Sequence, residues 1–141
     1  MKIEKLDHLH FYVKDLEKTI ESFQDLLGVE FSEIMNWEES GGIRDSYAPP
    51  GLNVIQPTMN REIDKFIEHK GEGISGVSFK VSNIDEAVSE LQSKGLKLIT
   101  KVKAGNVTEA LFAPPNHFGV ILELCEYPGD DIHAAATVAD D

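Results

Sequence analysis

Cysteine is almost absent from this chain. Cys125 is the single one in 141 residues, which excludes an internal disulfide framework and any zinc site built on thiolates. Arginine is nearly as scarce, with only Arg44 and Arg61. No apolar run approaches the ~20 residues that a membrane-spanning helix needs, so a spanning protein is excluded. The opening Met1-Lys2-Ile3-Glu4-Lys5 has no apolar signal segment behind it, which predicts a cytoplasmic protein. Basic charge is deficient as well: Lys plus Arg number 13 against 25 Asp plus Glu, a formal net charge of −12. That balance argues against nucleic acid as a partner.

The acids are unevenly placed. From Gly129 to Asp141 there are four (Asp130, Asp131, Asp140, Asp141), with no Lys or Arg and no apolar periodicity. This end reads as a flexible, solvated acidic tail. Lys94, Lys97, Lys101 and Lys103 form the one basic cluster. It is either ordinary surface lysine or a docking site for an anionic ligand tail.

What the chain has in abundance is self-similarity. The stretch from His8 to Ile20 is echoed, 68 residues later, from Gly76 to Val88, with Phe, Val, Leu/Ile, acid and Ile/Val in register. Tyr47-Ala48-Pro49-Pro50 is echoed by Phe112-Ala113-Pro114-Pro115. Each half reads as strand, helix, then three strands. Leu6–Val13 alternates as a strand does. Asp15 caps a helix whose apolar face is Leu16, Ile20, Phe23, Leu26 and Leu27, and Gly28 stops it. Val29–Met35, Ile43–Ala48 and Leu52–Gln56 are the remaining strands. The second half repeats this with strand Val77–Val81, a helix over Ile84–Lys94 capped by Asn83, and strands Leu96–Val102, Val107–Ala113 and Val120–Glu126. Asn60–His69 is a helix between the halves, with Ile63, Phe66 and Ile67 on one face.

The organisation predicted is one domain: a first βαβββ module over 1-58, a linker helix within 59-73, a second module over 74-128 and the acidic tail over 129-141. The class is α+β, with eight strands in a curled sheet around a cleft that would take a small-molecule ligand.

Strand parity then selects side chains. His8 and His10 share a face, turned into the cleft if Leu9, Phe11 and Val13 pack under the helices. In the last strand Ile121, Glu123 and Cys125 share a face. Glu123 is a carboxylate in an otherwise apolar strand, and burying one unpaired costs roughly several kcal/mol. The repeat relates Glu123 to Asn53 and His8 to Gly76. His8, Asn53 and Glu123 could hold one divalent metal with water in the open positions; equally, His8 and Glu123 could bond each other, or water, in a metal-free cleft. Trp37 reads as a rim aromatic, Tyr47 and Phe112 as core, and His69 and His117 as surface histidines. Cys125 reads as core, with no basic neighbour to activate a thiolate.

At these residues the chain resembles the vicinal oxygen chelate superfamily, the glyoxalase, bleomycin-resistance and extradiol-dioxygenase fold of paired βαβββ modules. Within it the likeness is to the methylmalonyl-CoA epimerases. It is carried by Leu6-Asp7-His8 through Leu16-Glu17, by Lys65-Phe66-Ile67-Glu68-His69-Lys70-Gly71-Glu72-Gly73-Ile74, and by Gly119 through Glu126. The resemblance implies a divalent metal (cobalt, manganese, zinc or nickel) with His8, Asn53 and Glu123 among its ligands. The family's fifth-strand His falls on Gly76, with Ser75 beside it, and neither replaces an imidazole. His10 faces the same way as His8 and is a candidate substitute ligand, base or substrate contact. The implied chemistry removes the proton between a thioester and a carboxylate and returns it on the other face, with Glu123 as one catalytic carboxylate. Glu39, in Glu38-Glu39-Ser40-Gly41-Gly42, is the candidate for the other; a solvated loop is the alternative. Arg44 and Ser78 are further candidate substrate contacts. The resemblance also implies a homodimer and an acyl-CoA or α-oxo acid substrate. A metal-free binding protein of the resistance type, or an enzyme using His10 in an altered ligand set, remain the competing functions, because this fold hosts many chemistries.

Overall fold

A computed structural model describes residues 1–114 and 118–138. His117, Pro115 and the acids Asp140 and Asp141 lie outside the described residues. The elements run β1 (Ile3–Tyr12), α1 (Leu16–Leu27), β2 (Met35–Trp37), α2 (Glu38–Gly41), β3 (Ile43–Ala48), β4 (Leu52–Pro57), α3 (Arg61–Lys70), β5 (Gly73–Val81), α4 (Ile84–Ser93), β6 (Leu98–Ala104), β7 (Val107–Phe112), β8 (Ile121–Glu126) and α5 (Ile132–Ala136). The strands form an eight-stranded sheet in the order β2-β3-β4-β1-β5-β8-β7-β6. The chain is thus α+β, as the repeat requires. It divides into two compact units, His8–Ser75, and Met1–Asp7 together with Gly76–Asp141.

In the unit His8–Ser75, Asp15 caps α1 by accepting from the Lys18 amide at 3.0 Å, and Gly28 ends it in the left-handed region at φ 67°. Val13, Leu16 and Val54 form its core, with Phe11, Ile20, Phe23 and Phe31 packed against them. Leu26 and Leu27, expected on that apolar face, are instead exposed: the last turn of α1 runs past the residues it covers. β4 pairs parallel with β1, setting His10 opposite Asn53. It pairs antiparallel with β3, setting Tyr47 opposite Asn53. Since Phe11 and Val54 point at α1, His8, His10, Asn53, Asp45 and Tyr47 share the other face.

Two expectations fail in this unit. Residues 29–34 are not a strand. Ser32 ties them to β3 through its side chain: its hydroxyl accepts from the Tyr47 amide at 3.1 Å, while the Ser32 amide donates to Tyr47 O at 2.7 Å. A hydroxyl thus stands in for a ladder carbonyl, and regular pairing starts only at Met35. The loop expected before β3 is a short helix, α2. The Asn36 side chain accepts from the Glu38 amide at 2.9 Å and turns the chain into it. Gly42, at φ +64°, ends it where a Cβ would meet Met59 backbone at 2.7 Å, so no larger residue fits.

In the other unit, β5 runs parallel to β8 with Ser78 opposite Glu123, and β7 runs antiparallel to β8 with Leu111 opposite Glu123. Asn83 caps α4 by accepting from the Glu86 amide at 3.1 Å. Ala87, Val88 and Leu91 of α4 pack on Ala110, Phe112, Leu122 and Leu124. The first residues of β1 belong here: the Ser82 amide donates to Lys2 O at 3.2 Å.

The end of the chain is a correction. The described residues after β8 are not a frayed tail. Asp131 caps α5 by accepting from the Ala134 amide at 3.1 Å, and Ile132 and Ala135 are buried. The Asn106 amide donates to Ala135 O at 2.8 Å. Gly105 permits this close approach, since a Cβ there would sit 2.6 Å from the Ala135 and Ala136 carbonyls. The acids hid two apolar anchors that have too little sequence around them to show a period.

Candidate functional site

His8 and His10 are 3% and 7% exposed. Two side chains at i and i+2 of a strand start about 6.6 Å apart. Their tips nevertheless converge: Nε2 of His8 lies 2.9 Å from Nε2 of His10. The rings are 10° from parallel with centroids 4.8 Å apart. At that distance one nitrogen donates and the other accepts, or both lone pairs face a shared cation. Tyr47 stands edge-on to His8 with centroids 6.3 Å apart. It is therefore half-buried on the histidine face rather than in the core. Ser75, fully buried, donates its hydroxyl to His10 O at 3.2 Å. That bond turns Ser75 onto the backbone of β1.

Glu123 is 1% exposed. Ser78, itself fully buried, donates to its Oε1 at 2.8 Å. The parallel register that sets these two side by side is the one that sets His10 beside Asn53 in the other unit, as the 68-residue repeat of His10 onto Ser78 implies. A hydrogen bond to a charged acceptor in a dry setting is among the stronger ones. Cys125, two residues on, also hydrogen-bonds Ser78. Burial pushes its thiol well above the ordinary range, the nearby charges of Asp7, Glu123 and Glu109 push the same way, and the Ser78 bond opposes them. An activated thiolate is excluded. Asp7 is buried too, held by the Tyr127 hydroxyl and by Lys5 at 3.7 Å.

Asn53 donates through Nδ2 to Asp45 Oδ2 at 2.9 Å and to Ser46 O at 3.2 Å. Both partners are acceptors, which fixes the amide orientation and leaves Oδ1 as the atom that could serve a cation. Asp45 also accepts from the Trp37 indole N–H at 2.9 Å. This half-buried carboxylate was missed in the sequence. Its signal was parity: Asp45 lies two residues before Tyr47 on β3. Glu39 is exposed on α2, while Asp45 lies on the face of the histidines. Arg44 points to the opposite side of β3 and pairs with Glu17, whose carboxyl that bond holds below its usual range. Of the basic cluster, Lys101 pairs with Asp85. His69 is exposed and bonds Lys65 O at 2.8 Å.

Known proteins bear on this arrangement. The family profile described as Glyoxalase/Bleomycin resistance protein/Dioxygenase superfamily matches residues 7–113, and the chain belongs to that superfamily. It is similar to the uncharacterized protein YqjC of Bacillus subtilis (strain 168), 26% identical over 135 residues, which cover 91% of this chain and 96% of that one. It is also similar to the mitochondrial methylmalonyl-CoA epimerase of Mus musculus, 27% identical over 130 residues, covering 87% of this chain and 73% of that one. Among solved structures, a Streptomyces coelicolor methylmalonyl-CoA epimerase in complex with 2-nitronate-propionyl-CoA shares the fold, with a TM-score of 0.78 at 21% identity over 91% of this chain and all of that one. No described helix is long and apolar enough to cross a membrane.

Proposed function

We propose that this chain is an epimerase-like isomerase or lyase that moves the proton beside the carbonyl of a small acyl-CoA or α-oxo acid. The observation that carries the reading is Glu123: a carboxylate 1% exposed, set in an apolar strand and oriented by the buried Ser78 hydroxyl. Holding a carboxylate there costs stability, a cost that an acid–base role explains. Likeness to epimerases whose neighbours bind acyl-CoA esters supports the substrate class.

In this reading Glu123 takes or returns the substrate proton, and its hydrogen bond from Ser78 fixes which oxygen does so. The second carboxylate is Asp45, in preference to Glu39. The Trp37 and Asn53 bonds hold Asp45 in one orientation, whereas Glu39 is solvated. The donor chemistry suits a divalent metal: two buried imidazoles in one unit and a buried carboxylate in the other. Such an ion, held by His8 and Glu123 with Asn53 as an oxygen donor, would supply positive charge beside the substrate oxygens. Arg44 is committed to Glu17 and is left out of substrate binding. A cytoplasmic homodimer completes the reading by family likeness.

The test is proton exchange. Methylmalonyl-CoA is incubated in D2O with tag-free protein that has been loaded with cobalt or manganese and desalted. Loss of the α-proton signal in the NMR spectrum, abolished by Glu123→Gln, is expected. Ligand binding without exchange, in a chain that retains no metal, would replace this reading with a resistance-type binding protein.

A further inference from the structure

We infer that the second nitrogen ligand of this chain's metal is His10, so that one strand supplies both imidazoles. The inference rests on the metal-dependent reading above and specifies its ligands. Its warrant is the geometry of β1. Nε2 of His8 and Nε2 of His10 are 2.9 Å apart although their strand positions are not adjacent, and both rings are buried and nearly parallel. With metal–nitrogen bonds of about 2.1 Å, two ligands at a right angle lie about 3.0 Å apart, and two at the tetrahedral angle about 3.4 Å. The pair is close enough for both nitrogens to take neighbouring positions on one ion.

The neighbouring strand explains why the imidazole sits where it does. Ser75 is an odd number of residues from Ser78 on β5, so it faces away from the side that Ser78 shares with Glu123, and its hydroxyl donates to His10 O at 3.2 Å. Gly76 has no side chain. The same bond places β5 directly against the backbone that carries His10. Asn53, opposite His10 in the β1–β4 register, has both amide hydrogens committed and its oxygen left for the same ion.

The experiment counts imidazoles. Each histidine bound through Nε2 keeps one exchangeable Nδ1 proton, which paramagnetic cobalt(II) shifts far outside the normal proton range. The full chain, 15N-labelled at its histidines alone, is loaded with cobalt(II), and the shifted exchangeable signals on labelled nitrogen are counted in wild type, His8→Ala, His10→Ala and His10→Gln, so that the Asn53 amide protons do not enter the count. Far-UV circular dichroism checks each fold. Two signals are expected in wild type and one in each His10 variant. Cobalt affinity should fall by more than the roughly 10–100-fold carried by outer-sphere partners. One signal in wild type with cobalt retained, or two signals persisting in a folded His10 variant, overturns the inference and leaves the metal-dependent reading standing. Failure of wild type to take up cobalt overturns both. The wild-type count decides the matter even where a variant does not fold.

Discussion

The Ser78–Glu123 bond gives the sharpest test of how this carboxylate is held. Ser78→Ala removes a hydroxyl that donates to Glu123 Oε1 at 2.8 Å, with both side chains almost wholly buried. A buried bond to a charged group contributes about 1.5–3 kcal/mol, so Ser78→Ala should lower the unfolding free energy by that amount. For a chain of this size it should lower Tm by about 3–12 °C. In a Glu123→Gln background the acceptor is neutral, and the same truncation should cost only about 0.5–1.5 kcal/mol. Urea unfolding of wild type, both single variants and the double variant, followed by circular dichroism, measures the coupling. Equal costs in the two backgrounds, within about 0.3–0.5 kcal/mol, would show that the hydroxyl does not serve the carboxylate's charge. The orientation argument for Glu123 would then fail.

Three further outcomes are expected. Asp45→Asn should reduce exchange of the substrate α-proton by roughly 100-fold or more and also lower the urea midpoint, because its NH2 would face either the Trp37 or the Asn53 donor, whereas Glu39→Gln should leave exchange within a few-fold; the reverse ranking in the deuterium-exchange assay would return the role to α2. Cys125 should resist a thiol reagent such as dithionitrobenzoate at pH 8 in the folded state and react at once in urea. Because its folded thiol is raised above an ordinary value of 9.0, its stabilising contribution is complete below pH 9 and is lost as pH rises toward the folded value, so the urea midpoint should be lower at pH 10 than at pH 8. Gly105→Ala, at φ +55° and with its Cβ 2.6 Å from Ala135 O, should cost about 1–3 kcal/mol and make the residues after Glu126 more sensitive to limited proteolysis; unchanged protease resistance would contradict the docking of α5.

The repeated strand–helix pattern was legible because its signals are redundant. Asp15 and Asn83 both cap helices, Phe11 and Phe79 both alternate with polar residues, and the 68-residue echo ties the two patterns together. Where a segment depends on a single side chain, the pattern was silent. Residues 29–34 look strand-like in composition, yet one Ser32 hydroxyl in the ladder keeps them irregular. The tail after Glu126 looks solvated by charge count, yet Ile132 and Ala135 anchor it because Gly105 makes room. Both decisions are made by partners far away in sequence, which local composition does not encode.

The candidate site shows a subtler limit, set by parity. A strand turns successive side chains to opposite faces, so an echo aligned one residue out assigns a side chain to the wrong layer. Tyr47 and Phe112 were matched by the Ala-Pro-Pro that follows each. Tyr47, however, pairs with Asn53 on the histidine face, while Phe112 pairs with Leu122 under α4. The parity that turns Tyr47 to the histidine face turns Asp45 there too, two residues back on β3, whereas the expectation for Glu39 rests on the family resemblance alone. With the strand read in its true register, His8, His10, Asn53, Asp45 and Tyr47 share one face by alternation alone, and Ser78, Glu123 and Cys125 share the equivalent face of the other unit. The polar residues therefore follow the alternation as faithfully as the apolar ones do.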